Sequence, residues 1–337
     1  MKKVLLIGAG GIGKRHIRGF IKTGRARLSV VEPDAEKLAD VMKTCDIERG
    51  YAGLDQAPLA EFDAAVVCSP AHTHISIGQR LADAGLPFLL EKPLAVSMDG
   101  VDRMIGAVNK KGLAVRVGYV QRVRPWVLKL KDQLDAGRVG KLRMVYANVS
   151  QEYPKYRPDY QRTYYARRAS GGGAILDAAT HTFDLLLWFL GPVRQVSAMY
   201  DRLVLQGVEC EDCALISLRF ASGVLAQINM NQFQKPNVSE IEWIGDKANL
   251  RLVNHKGELQ FASDDSGQWV CEPFETGGMT PMEIHESMFA VQAGAYLDIV
   301  EGKPSLPLAT LEDARQSLRV CLAALESGQT KRTVELE

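Results

Sequence analysis

Residues 4–32, with the sequence VLLIGAGGIGKRHIRGFIKTGRARLSVVE, decide the fold of this chain. The four opening apolar residues, two of them β-branched, predict a buried strand that the glycines end abruptly. Gly8, Gly10 and Gly13 match the G-x-G-x-x-G pattern between a predicted strand and a predicted helix. Glycines at this spacing allow a tight turn, let backbone amides approach a pyrophosphate, and let the helix pack on the strand. The segment therefore predicts a dinucleotide-binding βαβ unit.

The second apolar run of this unit, residues 28–31, ends at Glu32. An acidic side chain at this place accepts hydrogen bonds from adenosine ribose hydroxyls. The next basic residue is Lys37, so a 2′-phosphate would meet a carboxylate, and NAD is favoured over NADP. The alternative is a glycine-rich turn without a nucleotide, which leaves the strand, the helix and the acidic residue together unexplained. The predicted cofactor-binding residues here are Gly8, Gly10, Gly11, Ile12, Gly13 and Glu32.

Length and composition bound the class of protein. A chain of 337 residues with 46% hydrophobic and 24% charged residues is typical of two globular domains. The formal net charge of +1 provides no global field that would recruit nucleic acid or an anionic membrane. No stretch approaches the ~20 apolar residues that span a bilayer. The six cysteines are scattered, unlike those of a secreted disulfide scaffold. We expect a cytoplasmic protein without nucleic-acid or membrane partners.

Strands and helices alternate along the first 120 residues. The pattern predicts strands over 63–68, 88–90 and 113–119 and helices over 35–44, 73–84 and 97–111. This alternation is typical of a doubly wound parallel sheet, whose ligands bind outside the carboxyl ends of the strands. Candidate site residues therefore lie where predicted strands end, and they are Ser69, Pro70, Glu91, Lys92 and Tyr119.

From about residue 121 the pattern changes to a helix over 126–136 and then to segments of alternating polarity. These predict strands over 142–149, 196–200, 214–220, 224–231, 239–244 and 249–253, one helix near 173–190 and an amphipathic helix over 311–327. Strands without intervening helices predict a large, mostly antiparallel open sheet with one face free for a partner subunit. We therefore predict an α/β chain with an NAD-binding domain at 1–120 and a substrate-binding and oligomerisation domain at 121–337. The C-terminal helix could pack back on the first domain.

The segment 170–184, SGGGAILDAATHTFD, carries the second group of candidates. Asp177, His181 and Asp184 follow i, i+4, i+7 spacing, which predicts one face of a helix. A carboxylate one turn from an imidazole can orient the ring, so that His181 could act as a general base. The alternative, which local sequence alone favours, is a solvated polar face with a helix-stabilising Asp–His pair. A zinc site is disfavoured because no third ligand lies adjacent, and we expect no metal.

Lys92 follows a predicted buried strand, and Pro93 restricts its backbone to extended conformations. Its ammonium could donate a hydrogen bond to a substrate hydroxyl and to the alkoxide that develops from it. The alternative is a surface lysine beside a turn, and local sequence does not decide between the two.

Five motifs occur in an order and at a spacing that resemble the glucose–fructose oxidoreductase, inositol dehydrogenase and rhizopine-catabolism (Gfo/Idh/MocA) family. They are Gly8-Ala9-Gly10-Gly11-Ile12-Gly13, Ser69-Pro70 with His74, Glu91-Lys92-Pro93, Arg138-Val139-Gly140-Lys141-Leu142, and Gly171-Gly172-Gly173 with Asp177, His181 and Asp184. The resemblance covers nearly the whole chain. It implies a Rossmann domain, a second α/β domain whose open sheet makes dimers or tetramers, and an oxidoreductase that uses a nicotinamide cofactor.

The resemblance also implies residue roles. Lys92 matches the family lysine that contacts substrate and nicotinamide, Asp177 the substrate-binding carboxylate, and His181 the catalytic base. His74 matches a position near the nicotinamide ribose, with helix capping as the alternative. The residues assigned to the cofactor side are Ser69, Pro70, His74, Glu91 and Lys92. Ala178 and Ala179 depart mildly from the small residues usual in the family, which leaves the catalytic positions intact.

The segment 122–168 is rich in arginine and tyrosine. Stacking on RNA is disfavoured because the chain has no basic excess. A loop over the active site that reads sugar hydroxyls, a carboxylate or a phosphate is favoured. The predicted substrate-binding residues are Lys92, Tyr119, Arg122, Tyr153, Tyr165, Asp177 and His181. Cys210-x-x-Cys213 resembles a redox or zinc pair, but the chain has no second pair, so a structural role is favoured.

The sequence thus predicts an NAD(P)-dependent oxidoreductase that transfers hydride between nicotinamide and a secondary hydroxyl of a sugar, cyclitol or sugar derivative. Because some members of the resembled family hydrolyse glycosides through a transient oxidation, an NAD-dependent glycoside hydrolase is one alternative. A non-catalytic NAD(H) sensor is another, against which the intact Lys92, Asp177 and His181 argue. The expected partners are a sugar or polyol and further copies of the chain, in a homodimer or homotetramer built through the C-terminal sheet.

Overall fold

The computed structural model describes residues 1–263, 267–274 and 276–337. The chain forms two compact units. Unit 1 contains Met1–Val123 and Glu283–Arg315, and unit 2 contains Arg124–Met282 and Gln316–Glu337. The functional division at residue 120, which concerns where cofactor and substrate bind, stays a prediction.

Unit 1 is built on a six-stranded parallel sheet with the order β3-β2-β1-β4-β5-β6. The strands are β1 (Lys2–Ile7), β2 (Ala26–Val31), β3 (Arg49–Tyr51), β4 (Ala64–Val67), β5 (Phe88–Leu90) and β6 (Arg116–Val117). Strands β2 and β3 follow β1 on one side of the sheet, and β4, β5 and β6 follow on the other side. The boundary between β1 and β4 is therefore the topological switch point at which such sheets bind ligands. The predicted doubly wound parallel sheet is confirmed.

The helices of unit 1 that follow its strands are α1 (Gly11–Lys22), α2 (Ala35–Thr44), α3 (His74–Asp83) and α4 (Val101–Lys110). The apolar strands are buried on both faces, which explains their continuous rather than alternating hydrophobicity. Val4, Leu6 and Val66 are completely buried in this core together with Phe20 of α1.

Two predicted elements of unit 1 are shorter in the structure. The helix expected over 97–111 begins only at Val101, because Gly100 precedes it in the left-handed conformation with φ +74°. The strand expected over 113–119 is limited to Arg116–Val117, because tight backbone turns at Val115 and Tyr119 interrupt the extended chain on either side.

Unit 2 contains a nine-stranded sheet with the order β14-β13-β12-β11-β7-β10-β9-β8-β15. Its strands are β7 (Leu142–Ser150), β8 (Val193–Asp201), β9 (Cys213–Phe220), β10 (Leu225–Asn231), β11 (Ser239–Gly245), β12 (Ala248–Val253), β13 (Glu258–Ser263), β14 (Val270–Glu272) and β15 (Val334–Glu335). Only β7 and β10 pair in parallel, and the other described pairs are antiparallel. The predicted large, mostly antiparallel sheet is confirmed, whereas β13, β14 and β15 were not predicted.

The strands at the centre of this sheet alternate between a buried and an exposed face. Along β9, Ile216 and Leu218 are buried, whereas Leu215, Ser217 and Arg219 are exposed. The exposed face carries large apolar side chains on three strands, and these are Tyr146, Met199 and Leu215.

The remaining helices are α5 (Pro125–Asp135), α6 (Tyr153–Tyr156), α7 (Thr180–Leu190), α8 (Pro281–Val300) and α9 (Leu311–Thr330). The helix expected near 173–190 is regular only in α7, because its first part, Ala174–Ala179, is a π-helical turn. The expected C-terminal helix is present as α9, whereas α8 was not predicted.

The segment Arg168–Leu190 corrects the expectation that no stretch is long and apolar enough to cross a membrane. By length and composition it would be, but 67% of its most apolar window is buried inside the protein. A buried core helix is apolar on most of its faces and so resembles a membrane span in composition.

Helix packing in unit 1 predicts opposite effects of alanine at two helical glycines. A Cβ on Gly19 of α1 would lie 2.7 Å from the carbonyl oxygen of Phe289 in α8, whereas a Cβ on Gly106 of α4 would have no atom within 4 Å. We expect Gly19→Ala to destabilise the protein by about 1–3 kcal/mol through overpacking. Gly106→Ala should stabilise it by about 0.5–1 kcal/mol, since alanine is the better helix former. Denaturant unfolding of both variants measures this, and equal effects would contradict the packing described.

Candidate cofactor and catalytic sites

The predicted cofactor-binding residues lie at one edge of the parallel sheet in unit 1. The Gly8 turn follows β1, Glu32 follows β2, Ser69 follows β4 and Glu91 follows β5. Because these strands are neighbours and parallel, their carboxyl ends lie side by side. The sheet order therefore brings together residues that are far apart in the chain.

The glycine turn between β1 and α1 leaves no room for side chains at two positions. Gly8 has φ +99°, and a Cβ there would lie 2.9 Å from the backbone of Cys68 and Ser69. A Cβ on Gly13 would lie 2.0 Å from the Gly8 carbonyl oxygen, so only glycine allows α1 to approach the turn. At Gly10 and Gly11, by contrast, a Cβ would meet nothing within 4 Å.

The start of α1 has the features of an anion-binding site. Gly10 is its N-cap and provides no side chain to accept from the first helical amides. Such amides have no acceptor within the helix, and together with the helix dipole they bind phosphate groups. The open space beside Gly10 and Gly11 fits the pyrophosphate of NAD, so the residues present agree with this cofactor.

Glu32, which follows β2, contacts the backbone of two loops. Its nearly buried carboxylate accepts hydrogen bonds from the amides of Ala9, at 2.7 Å, and of Asp34, at 3.0 Å. An ionised carboxylate has about four acceptor sites, so two remain for ribose hydroxyls. The side chain thus links the glycine turn after β1 to the end of β2, a contact that the sequence pattern alone did not predict.

His74 begins α3 and is fully buried. Its Nδ1 lies 2.8 Å from the carbonyl oxygen of Pro93, and its Nε2 lies 2.9 Å from that of Ser69. Burial lowers the pKa of the imidazole, and the hydrogen bonds to these two carbonyls oppose that decrease. His74 therefore connects the loop after β4 to the loop after β5, and its contact with the nicotinamide ribose stays a prediction.

Glu91 and Lys92 are held by a buried partner that the sequence analysis missed. Oε1 of Glu91 lies 2.7 Å from Nε2 of His16 in α1, and both side chains are almost completely buried. Oε2 of Glu91 accepts a hydrogen bond from the backbone amide of Lys92 at 3.2 Å. The only sequence signal was a histidine three residues after Gly13, which by itself does not identify a partner. Lys92 itself is half-buried.

Tyr119 and Arg122 lie just after β6 and are buried. Arg122 forms an ion pair with Asp313 at 3.3 Å. Their predicted contacts with substrate stay predictions.

In unit 2 the glycine run Gly171-Gly172-Gly173 is a site of close packing. A Cβ on Gly172 would lie 2.1 Å from the carbonyl oxygen of Tyr165. Gly173 has φ +103°, and a Cβ there would lie 2.5 Å from Oε1 of Glu211. Gly172 and Gly173 therefore bring the chain against Tyr165 and Glu211 before the π-helical turn begins.

Glu211 is the second residue that the sequence analysis missed. Its buried carboxylate accepts from the amide of Ile175 at 2.9 Å and from Nη2 of Arg168 at 2.7 Å. It lies between Cys210 and Cys213, and both cysteines are free thiols. Burial raises the pKa of the Cys210 thiol to about 12. The structural interpretation of this cysteine pair stays a prediction.

Asp177 lies in the π-helical turn and accepts a hydrogen bond from the hydroxyl of Tyr164 at 2.8 Å. Tyr164 is 43% exposed, so it combines contact with Asp177 and access to solvent. His181 is the second residue of α7 and half-buried, whereas Asp184 is completely buried. The prediction that Asp177, His181 and Asp184 share one helix face assumed a regular α-helix. The π-helical turn changes the angular position of Asp177 around the helix axis.

Tyr153 and Tyr165, which we predicted to bind substrate, pack together in the core of unit 2. Their ring centroids are 4.1 Å apart, and Tyr160 packs edge-on against Tyr153. Ala166, Leu205 and Val208 complete this cluster. Their predicted roles in binding substrate stay predictions. Within residues 1–263, 267–274 and 276–337, no group of three or more His, Cys, Asp or Glu side chains is placed to hold a metal ion.

Comparison with known proteins gives matches over both units. Residues 2–119 match the family model described as an oxidoreductase family with an NAD-binding Rossmann fold, and residues 127–251 match the GFO/IDH/MocA C-terminal domain. A myo-inositol 2-dehydrogenase from Thermotoga maritima is 26% identical over 99% of this chain and 98% of its own length. An inositol 2-dehydrogenase from Rhizobium meliloti is 25% identical over 98% of both chains.

Solved structures show the same fold. The WlbA dehydrogenase from Bordetella pertussis, crystallised with NADH and UDP-GlcNAcA, superimposes with a TM-score of 0.85 at 25% identity, over 100% of this chain and 98% of that one. A levoglucosan dehydrogenase in complex with NADH has a TM-score of 0.86 at 21% identity, over 100% of this chain and 99% of that one.

The position of Glu32 predicts a change in nucleotide preference. A 2′-phosphate would lie against its carboxylate, so Glu32→Gln should remove a like-charge repulsion and raise the affinity for NADPH relative to NADH by about tenfold or more. Fluorescence titration with both nucleotides measures the ratio of dissociation constants without any substrate. Glu36→Gln, on the exposed first turn of α2, is the matched control and should leave the ratio unchanged. An unchanged ratio in Glu32→Gln would exclude the assigned ribose contact.

Proposed function

We propose, since the chain belongs to the Gfo/Idh/MocA family of oxidoreductases, that it oxidises a secondary hydroxyl of a sugar, cyclitol or sugar derivative. The NAD-binding Rossmann match and the dehydrogenases among its relatives confirm the predicted enzyme class and cofactor. The observation that carries the substrate class is the match to a myo-inositol 2-dehydrogenase over 99% of this chain. A polyol with several neighbouring hydroxyls also suits a carboxylate, an imidazole and an ammonium as its polar contacts.

In the proposed reaction, His181 accepts the proton of the hydroxyl group that is oxidised. Bound NAD supplies the hydride acceptor. Lys92 donates a hydrogen bond to the same oxygen and stabilises the negative charge that develops on it. Asp177 accepts a hydrogen bond from a neighbouring substrate hydroxyl and favours the protonated form of His181.

Local structure supports these roles within each unit. The backbone amide of Lys92 is held by Glu91, which is itself held by His16. The loop after Lys92 is also held, through the contact between His74 and the Pro93 carbonyl. In unit 2, Tyr164 donates a hydrogen bond to one oxygen of Asp177 and so restricts the orientation of that carboxylate. Side chains whose neighbours already hold them lose little freedom when a substrate binds.

Replacing His181 by alanine tests the proposal. We expect kcat to fall by about 10²–10⁴-fold because the general base is lost, with the affinity for NADH unchanged. NADH formation is measured at 340 nm over a panel of polyols, and nucleotide affinity by fluorescence. His255→Ala, at an exposed histidine after β12, is the control and should keep full activity. Full activity in His181→Ala would show that the assignment of the base is wrong.

The same assay separates the alternatives. A glycoside hydrolase that returns its cofactor unchanged would release free sugar without accumulating NADH. A sensor would bind NADH tightly and turn over none of the polyols.

We also propose that the exposed face of the unit 2 sheet binds a second copy of the chain. Met199 of β8 lies opposite Leu215 of β9, and both are exposed, as is Tyr146 of β7. Large apolar side chains exposed on one sheet face, next to polar ones, are typical of a protein–protein interface.

Leu215→Lys should therefore shift a homodimer or homotetramer toward smaller species, because a charge would be buried at the interface. Sedimentation velocity measures the change. Met42→Lys, at an exposed apolar residue of α2 in unit 1, is the control and should leave the assembly intact. A monomeric wild type, or an unchanged assembly in Leu215→Lys, would refute this interface.

A further inference from the structure

We propose that the substrate carries an anionic group, a carboxylate or a phosphate, and that Arg157 in unit 2 binds it. This inference rests on the proposed function, because it names a property of the molecule whose hydroxyl is oxidised. It is carried by the charge, the partners and the position of Arg157.

The segment 153–168 is locally basic in a chain of nearly neutral charge. It holds five basic residues, Lys155, Arg157, Arg162, Arg167 and Arg168, and a single acidic residue, Asp159. The chain as a whole has a formal net charge of +1. Positive charge is thus concentrated in the part of unit 2 that also provides Tyr164, the hydrogen-bond donor to Asp177.

The basic residues of this segment differ in their partners. Arg168 is neutralised by the buried Glu211 at 2.7 Å. Lys155 is exposed and lies above the ring of Tyr156. The guanidinium of Arg157 donates one hydrogen bond, to the carbonyl oxygen of Tyr156 at 3.0 Å. Across residues 1–263, 267–274 and 276–337, no Asp or Glu forms an ion pair with Arg157.

The position of Arg157 connects it to the catalytic carboxylate. It is the C-cap of the short helix α6, and its amide donates to the carbonyl of Tyr153 at 2.8 Å. Burial and the charge of Asp177 raise the pKa of the Tyr153 hydroxyl, and the positive charge of Arg157 opposes this rise. The ring of Tyr153 also packs on that of Tyr165 at 4.1 Å, and the adjacent Tyr164 donates to Asp177 at 2.8 Å. Arg157 therefore contacts the same aromatic segment that provides the partner of Asp177.

Arg157 is half-buried, and its guanidinium, with one hydrogen bond, retains most of its N–H donors. Partial burial of an unpaired charge is costly, and an anionic partner offsets that cost. The planar guanidinium has five N–H donors in a forked arrangement that matches the paired oxygens of a carboxylate or phosphate. The hydroxyls of a simple polyol match it less well, since a hydroxyl has no negative charge and offers a single oxygen instead of a pair. An anionic sugar derivative is therefore the substrate class that this residue fits.

Binding to the NADH-loaded enzyme tests the inference, since no turnover occurs in that complex. Isothermal titration calorimetry is carried out with three probes that differ at one carbon: D-glucose, D-glucuronate and D-glucose 6-phosphate. A second pair is myo-inositol and its monophosphate. The variants are Arg157→Gln, which removes the charge, and Arg157→Lys, which keeps the charge but not the fork. Arg162→Gln, at an exposed arginine of the same segment, is the matched control.

In the wild type we expect at least one anionic probe to bind about 10- to 100-fold more tightly than its neutral partner. Arg157→Gln should abolish this preference, Arg157→Lys should retain part of it, and Arg162→Gln should keep it in full. The probe that is preferred distinguishes a carboxylate from a phosphate. The inference is overturned if neither anionic probe is preferred, or if the preference survives in Arg157→Gln.

The experiments distinguish a failure of the proposed function from a failure of the proposed anion site. If the anionic preference is present but no hydroxyl compound yields NADH, the anion site stands and the dehydrogenase reaction does not. If neutral polyols are oxidised without any anionic preference, the reaction stands and the role of Arg157 does not.

Discussion

Buried carboxylates that accept backbone N–H groups hold several irregular segments of this protein in place. Glu32 accepts from Ala9 in the glycine turn, and Glu91 accepts from the amide of Lys92. In unit 2, Glu211 accepts from Ile175, two residues before Asp177. A fourth carboxylate, Asp212, is completely buried and accepts from three successive amides, those of Leu203, Val204 and Leu205. In each case the loop amide has a fixed acceptor instead of water.

Burial removes the hydration of a carboxylate, and this free-energy cost explains why all four carboxylates have hydrogen-bond partners. A buried carboxylate is stable only if hydrogen bonds replace its hydration, and each of these four has at least two. These amides belong to loops or, for Ile175, to the π-helical turn, and the same bonds restrict the backbone there. The residues proposed to act on substrate or cofactor therefore follow or precede a restricted backbone position. A restricted backbone fixes the direction of the neighbouring side chain, and the polar groups of that side chain stay available to a ligand.

The elements that the sequence predicted are those with a local signal. The glycine turn, α1 and the central strands of both sheets showed apolar periodicity or characteristic glycine spacing, and the structure confirms them. Helix α8 was missed because the buried Gln292 interrupts its apolar residues. Strand β14 has three residues, too few for an alternating pattern. The π-helical turn at Ala174–Ala179 was read as regular helix, because the i, i+4 spacing of Asp177 and His181 does not report the hydrogen-bond pattern.

Sequence alone determined the cofactor class, the sheet that carries it and the candidate side chains, since glycine spacing, apolar runs and an acidic residue at a strand end act over short stretches of chain. Tertiary structure decided which groups hold those side chains. His16 and Glu91 are 75 residues apart, and Ile175 and Glu211 are 36 residues apart. Such pairs form only when packing brings distant segments together, and no local preference of either residue encodes its partner.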